Sequence, residues 1–422
     1  VFDFVGFSYA DGMNTLHDHY RLLLGLDDSW AVDDVDLDLS GNQVTIQLNY
    51  CGSVLKCPEC SQSCSQADTA PERTWRHLDT MQFKTEIRAA VPRSRCQKCG
   101  VKTITVPWAG KHSRFTLLFE AVAIKVLLAS SSIQKAAELL GLSWDCVQTI
   151  MQRAVERGLL RRKCDEVEHV GVDEKSFGKG HDYITLLTDL DGHRVLDVAP
   201  QRTKAACDEL WQTMAESQRK RIKSISLDMW QPFMASSMQH APQAELVHDR
   251  FHVSKHLNEA VDRVRRRENR SLQADGDGRL KGTRQLWLYN QENLDEDRYH
   301  ELLTAQRSDL KTGRAWAIKE NFRLFWSQSN RLHGKRFFEA WYSWAIRSRL
   351  DPIKKTARML KTHSAGLFSY FSHRVTNAIT EGFNSRIQSL KSAARGFRNF
   401  TNYRIRILFF CGKLNLQPEL CH

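Results

Sequence analysis

The sequence predicts a mixed α/β chain: a strand-rich, cysteine-bearing module, then a compact pair of helices, then an α/β core interrupted by a long helical insertion. Three observations carry that expectation. Two Cys-x-x-Cys pairs stand within the first hundred residues. A glycine at 141 separates two short amphipathic runs. Between residues 167 and 249 the apolar period switches between two and 3.6 in the order βββαβαβ. The boundaries expected from these shifts are 13–112 for the first module, 113–163 for the helical one and 164–414 for the core, with the insertion at about 258–372.

The chain has 422 residues, enough for several domains, with 61 Lys plus Arg against 49 Asp plus Glu and a formal charge of +12. That excess points to a polyanionic partner. No run reaches the roughly 18 apolar residues that span a bilayer, and no basic start leads into an apolar stretch, so neither membrane insertion nor export is expected. The 11 cysteines are odd in number and four are paired at metal-ligand spacing. This favours a reducing, cytoplasmic setting over a disulfide framework. The chain opens on Val1, and Met13 is a more natural beginning, so residues 1–12 are expected to be an extension that adds nothing to the fold.

A short helix is expected from about Thr15, and Val44 to Tyr50 alternates as a half-buried strand does. Cys57-Pro-Glu-Cys60 and Cys96-Gln-Lys-Cys99 follow, bracketing a strand-rich segment that includes Thr85 to Val91. Two thiolates two residues apart grip one metal from a tight turn, and a second pair completes a tetrahedron. Such a closed site predicts a structural zinc ribbon that does no chemistry; Cys64 is an alternative ligand, and neither it nor Cys51 is required. Next come an apolar helix over Phe115 to Ala129, a helix containing Ala137, the turn at Gly141, and a helix of about Trp144 to Glu156 capped by Ser143. Small Ala and turn-forming Gly suit a helix-turn-helix that presents Gln148 and Arg153 to DNA; an ordinary helical hairpin is the competing reading. Arg157, Arg161, Arg162 and Lys163 lead into the core.

Strands are expected at Val167–Asp173, Tyr183–Asp189, Arg194–Ala199, Ile222–Asp228 and Ala244–Asp249, with Asp191-Gly192 as a hairpin turn and Pro232 in the first turn of a helix. This is the opening of a ribonuclease-H-like fold, in which the first and fourth strands are neighbours. Asp173 and Asp228 then approach each other, with Asp249 one strand further out. Carboxylates held that close repel unless a divalent cation bridges them. Two ions about 4 Å apart would hold both the attacking and leaving oxygens of a phosphoryl displacement, and oxygen ligands favour magnesium or manganese.

The third acid must come from elsewhere. In the stretch Ile379 to Arg395, Ile379, Phe383, Ile387 and Leu390 form one apolar stripe. Glu381, Asn384, Gln388, Lys391 and Arg395 line the other side, and Gly396 sits where the helix should stop. Glu381 is the candidate third ligand, and Asn384, Lys391 and Arg395 are candidates for holding DNA. A solvated helix face is the bland alternative.

Asp173-Glu-Lys-Ser-Phe-Gly-Lys-Gly-His, Ser226-Leu-Asp228-Met-Trp-Gln-Pro-Phe, Asp249-Arg-Phe-His252-Val and Ile379-Thr-Glu381-Gly-Phe-Asn384 resemble bacterial insertion-sequence transposases of the ISL3 group. The resemblance runs from about Met13 to Leu414 and includes Trp75-Arg-His-Leu-Asp79, Val106-Pro-Trp-Ala109 and Arg395-Gly-Phe-Arg-Asn-Phe400. It implies a DDE triad of Asp173, Asp228 and Glu381, and a cut-and-join reaction at element ends with water and then a DNA 3′-hydroxyl as nucleophiles. It also implies an accessory, active-site-supporting role for Asp249 and His252. The expected partners are double-stranded DNA, as terminal inverted repeats and target, and further copies of the chain, since two ends must be held together. A DNA-binding regulator with an inactive catalytic domain, and a nuclease that cuts without joining, are the competing functions.

The insertion reads as helical. Arg263, Arg265, Arg266, Arg267 and Arg270 form a basic run, read as a phosphate track with Arg265, Arg266 and Arg267 as DNA contacts, or otherwise a solvated face. Trp287, Trp316, Trp326, Trp341 and Trp344 suit a bundle core more than base stacking. The insertion would then clamp DNA or a second protomer. The tail from Thr401 to Phe410 is expected to pack back on the core.

Overall fold

The structure, a computed structural model, describes residues 16–162, 165–177, 182–306, 309–375, 378–394, 396–397 and 399–419. The expected N-terminal extension, Lys163 and Arg395 lie outside the described residues. The chain divides into two compact units, one up to Leu160 together with the residues from Asn415, the other Arg161–Leu414. No helix among the described residues is long and apolar enough to cross a membrane.

The first unit opens with α1 (Leu16–Leu23), β1 (Trp30–Asp38) and β2 (Gln43–Tyr50). There follow β3 (Leu55–Lys56), β4 (Ser63–Thr69), β5 (Arg73–Arg76), β6 (Lys84–Ala89), β7 (Pro92–Cys96) and β8 (Gly100–Thr103). They form two four-stranded sheets, ordered β1-β2-β6-β5 and β3-β4-β7-β8. The alternation read at Val44–Tyr50 is real: Val44, Ile46 and Leu48 are buried beside Ile87 of β6, to which β2 runs parallel. Trp30, Trp75 and Trp108 close this core edge to face, with centroids 4.7 and 5.5 Å apart.

Three helices follow: α2 (Leu117–Ser130), α3 (Ile133–Leu140) and α4 (Trp144–Arg161). Each is capped by a hydroxyl from its own sequence. Thr116 accepts from the Phe119 N–H, Ser132 from Lys135 and Ser143 from Cys146. Gly141 turns the chain with φ at 61°, a left-handed conformation that glycine tolerates, and Ala136 and Ala137 let the helices approach.

The second unit is built on β9 (His169–Ser176), β10 (Tyr183–Asp189), β11 (Arg194–Pro200), α5 (Lys204–Gln212), α6 (Glu216–Arg219), β12 (Ser224–Leu227), α7 (Gln231–His240) and β13 (Glu245–His248). The sheet order is β11-β10-β9-β12-β13. β9 pairs antiparallel with β10 and parallel with β12, so the first and fourth strands are neighbours as expected. β9 does not end at Asp173: pairing with β10 carries it on to Ser176, and Asp173 sits opposite Leu186 within the strand. Val170, Val172 and Leu187 point into a core with Trp211 and Phe233 from the helices of one face. Asp173 alternates to the other face.

The helix that leads into the insertion follows β13 directly. Nothing breaks the helix after Asp249, so α8 (Arg250–Ala274) runs straight from the end of β13 until Asp275 caps it. Then come α9 (Arg284–Leu288), α10 (Glu296–Gln306), α11 (Lys311–Phe322), α12 (Arg331–Arg347), α13 (Asp351–Thr362) and α14 (Ser364–His373). Their core is one cluster in which Trp287, Trp316, Trp326 and Trp341 are buried, whereas Trp344 is exposed. Last are α15 (Ala378–Ala393), which packs on β9, and α16 (Phe400–Cys411), which packs on β11.

Candidate active site and nucleic-acid cleft

Strand register decides which acids meet. Ser226 pairs with Gly171 and Leu227 with His248 across adjacent parallel strands. Continued one or two residues, those registers set Asp173, Asp228 and Asp249 at one level, side by side at the same edge of the sheet. Asp173 and Asp249 are buried, and Asp228 is largely so.

α8 then aims an imidazole into the group. His252, in its first turn, stands 3.6 Å from Asp173 and 3.4 Å from Asp228. One turn on, His256 lies 4.0 Å from Asp228. Burial opposes a charge on His252, but the Asp173 contact and the charges of Asp228, Asp173 and Asp249 outweigh it and raise its pKa to about 9. The imidazolium therefore neutralises part of an otherwise repulsive cluster. His256 had a signal in the sequence: it follows His252 by four residues and so shares its helix face.

α15 supplies the remaining acid. It is fastened to the sheet by Thr380, whose hydroxyl meets that of buried Thr188 at 3.0 Å. Glu381 follows. Its carboxyl is pushed above the usual carboxylate range by burial, and further by the charges of Asp249 and Asp173. One turn later Asn384 donates from Nδ2 to Asp173 Oδ2 at 2.9 Å, while the Glu174 N–H donates to Oδ1 at 2.8 Å. Asn384 thus faces the acids rather than solvent, and it orients Asp173. Lys391 donates to the Phe177 carbonyl and lies 5.5 Å over its ring, which ties it to the chain after β9 and removes it from an open ridge.

Asp173, Asp228 and Glu381 do not converge on one point. Among the described residues only the four ribbon cysteines bring three or more ligand atoms within 4.8 Å of one another. These donors nevertheless suit a hard divalent cation: they are oxygens, and burial together with the charges of Asp249 and Asp173 opposes ionisation of Glu381, which added positive charge would relieve.

At the ribbon, the Cys57, Cys60, Cys96 and Cys99 sulfurs meet that 4.8 Å limit, and Cys60 and Cys96 are 3.5 Å apart. Sulfurs bound to zinc at about 2.3 Å in a tetrahedron would be about 3.8 Å apart. The Cys99 N–H donates to Cys96 Sγ at 3.4 Å, a contact that favours the thiolate a metal needs. Cys64 is turned to the Gln62 carbonyl. The site fits a structural zinc.

Beside the acids, a cleft of about 1100 Å³ runs along α8. Asp249 and Glu381 lie at the end nearest the acid cluster, and Arg250, Lys255, Arg263, Arg266, Arg284 and Arg323 make it basic. The arginine run is more engaged than its sequence suggested. Arg265 and Arg266 both hold buried Asp262, at 2.9 and 2.7 Å, and Arg265 is itself mostly covered. Arg266 is 60% exposed and keeps its outer face in the cleft, and Arg267 is exposed.

The helix-turn-helix residues need correction. Gln148 is buried because it shares the inward face of α4 with Val147 and Met151. Arg153 pairs with buried Glu120 at 3.5 Å and donates to the His112 carbonyl at 3.0 Å. The outward ridge of α4 carries Asp145, Thr149 and Gln152 instead. Near the acids the sequence reading also passed over Glu174 and Arg202, paired at 3.2 Å, with the guanidinium 4.5 Å over Trp230.

Comparison with known proteins gives three family matches in chain order. Residues 53–99 match the zinc-finger of transposase IS204/IS1001/IS1096/IS1165. Residues 104–155 match the helix-turn-helix domain of transposase family ISL3, and residues 170–407 the family's DDE transposase domain. The chain is 28% identical over 376 residues to the transposase for insertion sequence element IS1001 of Bordetella parapertussis, covering 87% of this chain and 91% of that one. It is 27% identical over 412 residues to the transposase for insertion sequence element IS1557 of Mycobacterium tuberculosis, covering 90% and 92%.

Proposed function

The chain belongs to the ISL3 family of insertion-sequence transposases, and on that premise we propose how this DNA transposase works. Its ribbon holds a structural zinc, its helix-turn-helix domain binds DNA, and its DDE domain uses a divalent cation. We assign the catalytic core a ribonuclease-H-like fold, supported by the β11-β10-β9-β12-β13 order with its antiparallel and parallel halves. The domains are 13–112, 113–163 and 164–414.

Asp173, Asp228 and Glu381 are the residues that would hold the cation, magnesium or manganese as a pair of ions. Bound there, the metal would activate the attacking oxygen and stabilise the leaving one. The chain's own groups do the rest. Asn384 and the Glu174 N–H fix the Asp173 carboxylate, which would otherwise swing away from its neighbours. His252 lies 3.6 Å from Asp173 and 3.4 Å from Asp228 and would offset part of their mutual repulsion. Arg263, Arg266 and Arg284 line the cleft where the phosphate backbone would lie.

In the first step water attacks a phosphorus at the element end, the P–O3′ bond breaks, and a 3′-hydroxyl is released. In the second that hydroxyl attacks a target phosphorus and displaces a target 3′-oxygen. Holding two ends requires more than one copy, so the active species is a homo-oligomer. We place the protein in the reducing cytoplasm, supported by four of its 11 cysteines standing at metal-ligand spacing.

The observation that carries this reading is the 2.9 Å bond from Asn384 to Asp173, which ties the helix of Glu381 to the strand of the first aspartate. The test is Asp228→Ala on a plasmid bearing the sequences that flank the reading frame. Strand cleavage with magnesium should vanish while duplex binding persists; cleavage that survives overturns the triad.

A further inference from the structure

Five residues of α8 point outward along one face at spacings of four, four, four and three: Phe251, Lys255, Glu259, Arg263 and Arg266. All five line the cleft, and the row spans about 22 Å at 1.5 Å per residue. Its basic members lie away from the acids. Its aromatic member lies at the acid end, directly after Asp249 and Arg250.

Phe251 is 53% exposed on an otherwise polar helix face. The insertion does not need it for stability, since its core is filled by Trp287, Phe322, Phe325 and Trp341, and Phe251 is outside that cluster. Tyr289, 42% exposed at the end of α9, lines the same cleft. Water is a poor neighbour for a phenylalanine ring, and a flat π-face beside phosphate-binding cations is what a nucleobase stacks on. A base inside a duplex is covered by its own neighbours, so only an unpaired base can reach such a ring.

We propose that the catalytic end of the cleft is a binding site for an unpaired nucleotide of the DNA end, with its base stacked on Phe251 and flanked by Tyr289. The backbone of the same strand runs along Lys255, Arg263 and Arg266. Arg263 is shared with Glu259 at 3.4 Å in an exposed pair that yields readily to a phosphate, and Arg266, held to buried Asp262, is 60% exposed and offers its outer edge. The proposal rests on the reading of this cleft as the DNA channel.

The test is fluorescence anisotropy of the full-length protein on two probes, a blunt fluorescein-labelled duplex and the same duplex ending in an unpaired oligo-dT tail. The native protein should prefer the tailed probe. Phe251→Ala should cut that preference by about fivefold or more, the range for losing one stacked base, with blunt-duplex affinity within about twofold. Phe251→Trp should keep the preference, and Tyr289→Ala should reduce it less. Arg266→Ala should weaken both probes alike and flatten the salt dependence. No preference in the native protein, or an equal loss on both probes in Phe251→Ala, overturns the stacking site but leaves the channel standing. An Arg266→Ala protein that binds both probes as the native one does, with the native salt dependence, overturns the channel and the proposal together.

Discussion

Asn384 separates two accounts of α15. As a DNA contact on an exposed ridge, its loss would weaken binding; as the residue that holds Asp173, its loss would weaken the use of metal. The structure favours the second, because Nδ2 donates to a buried carboxylate at 2.9 Å. Hydrogen bonds to charged groups contribute about 1.5–3 kcal/mol. In Asn384→Ala, Asp173 Oδ2 loses that donor, and the Glu174 N–H and the more distant His252 still hold the carboxylate, both through Oδ1. Removing such an outer support typically lowers metal affinity or activity about 10- to 100-fold. The manganese concentration for half-maximal strand cleavage should rise within that range, while duplex affinity stays unchanged. Asn384→Asp should be worse at low metal, since it sets a second carboxylate against the first, and should recover partly at high manganese. If Asn384→Ala loses duplex affinity while its metal dependence stays native, the positioning role is wrong.

Other outcomes follow from the same geometry. Cys60→Ser should lower bound zinc, measured by elemental analysis, from one ion per chain to none, with unfolding of the ribbon and loss of duplex binding but no change in far-ultraviolet signal from the helical insertion. His77 is buried against the Thr116 hydroxyl at 2.9 Å, and burial holds its pKa down at about 4. A lowered histidine stabilises fully above its unfolded pKa of about 6.5, and that contribution, about 3 kcal/mol, is lost as pH falls toward 4. His77→Gln should therefore flatten the stability of the first unit between pH 6.5 and 4 in chemical denaturation; an unchanged slope would refute the assignment. Arg404 holds Asp197, which is 1% exposed, through bonds of 2.6 and 2.7 Å. Arg404→Ala should cost about 3–5 kcal/mol by stranding that charge, and adding Asp197→Asn should restore part of it in a double-mutant cycle.

Local signals were legible in the sequence where the physics is local. The cysteine pairs, the Gly141 turn with its Ser143 cap, and the alternation of Val44, Ile46 and Leu48 all act within a few residues, and each reappears in the structure. Strand adjacency was legible too, because the order of elements limits how a sheet can be wound. Side-chain direction was not. Gln148 and Met151 share the inward face of α4 with Val147, and only the tertiary packing of that face decides that the amide is inside. The arginines of α8 looked free because buried Asp262 lies within their own run and reads as one more polar residue. The Glu174–Arg202 pair becomes visible only once the β11-β10-β9 order is known, whereas His256 could be read from its spacing to His252 on one helix face.

Beside the Asn384 and Lys391 bonds, one fully buried contact helps to place α15 and has a measurable consequence. Thr380 and Thr188 are both fully buried, and their hydroxyls meet at 3.0 Å, while Thr188 also reaches the Gly171 carbonyl at 3.2 Å. Thr380→Val keeps the shape and removes one hydroxyl. Thr188 retains its carbonyl partner, so no polar atom is stranded and the stability cost should be about 1 kcal/mol, a fall of about 2–4 °C in melting temperature. Thr380 directly precedes Glu381 on a helix whose register against β10 this contact fixes. The loss of strand cleavage should therefore exceed what the small loss of stability explains, and should shrink as manganese is raised, since bound cation draws Glu381 back toward Asp173. Thr380→Ser, which restores the hydroxyl, should regain cleavage despite its missing methyl. Native cleavage and metal dependence in Thr380→Val would mean that apolar packing of Phe383, Ile387 and Leu390 alone sets the helix, and that the threonine pair contributes nothing to the position of the acid.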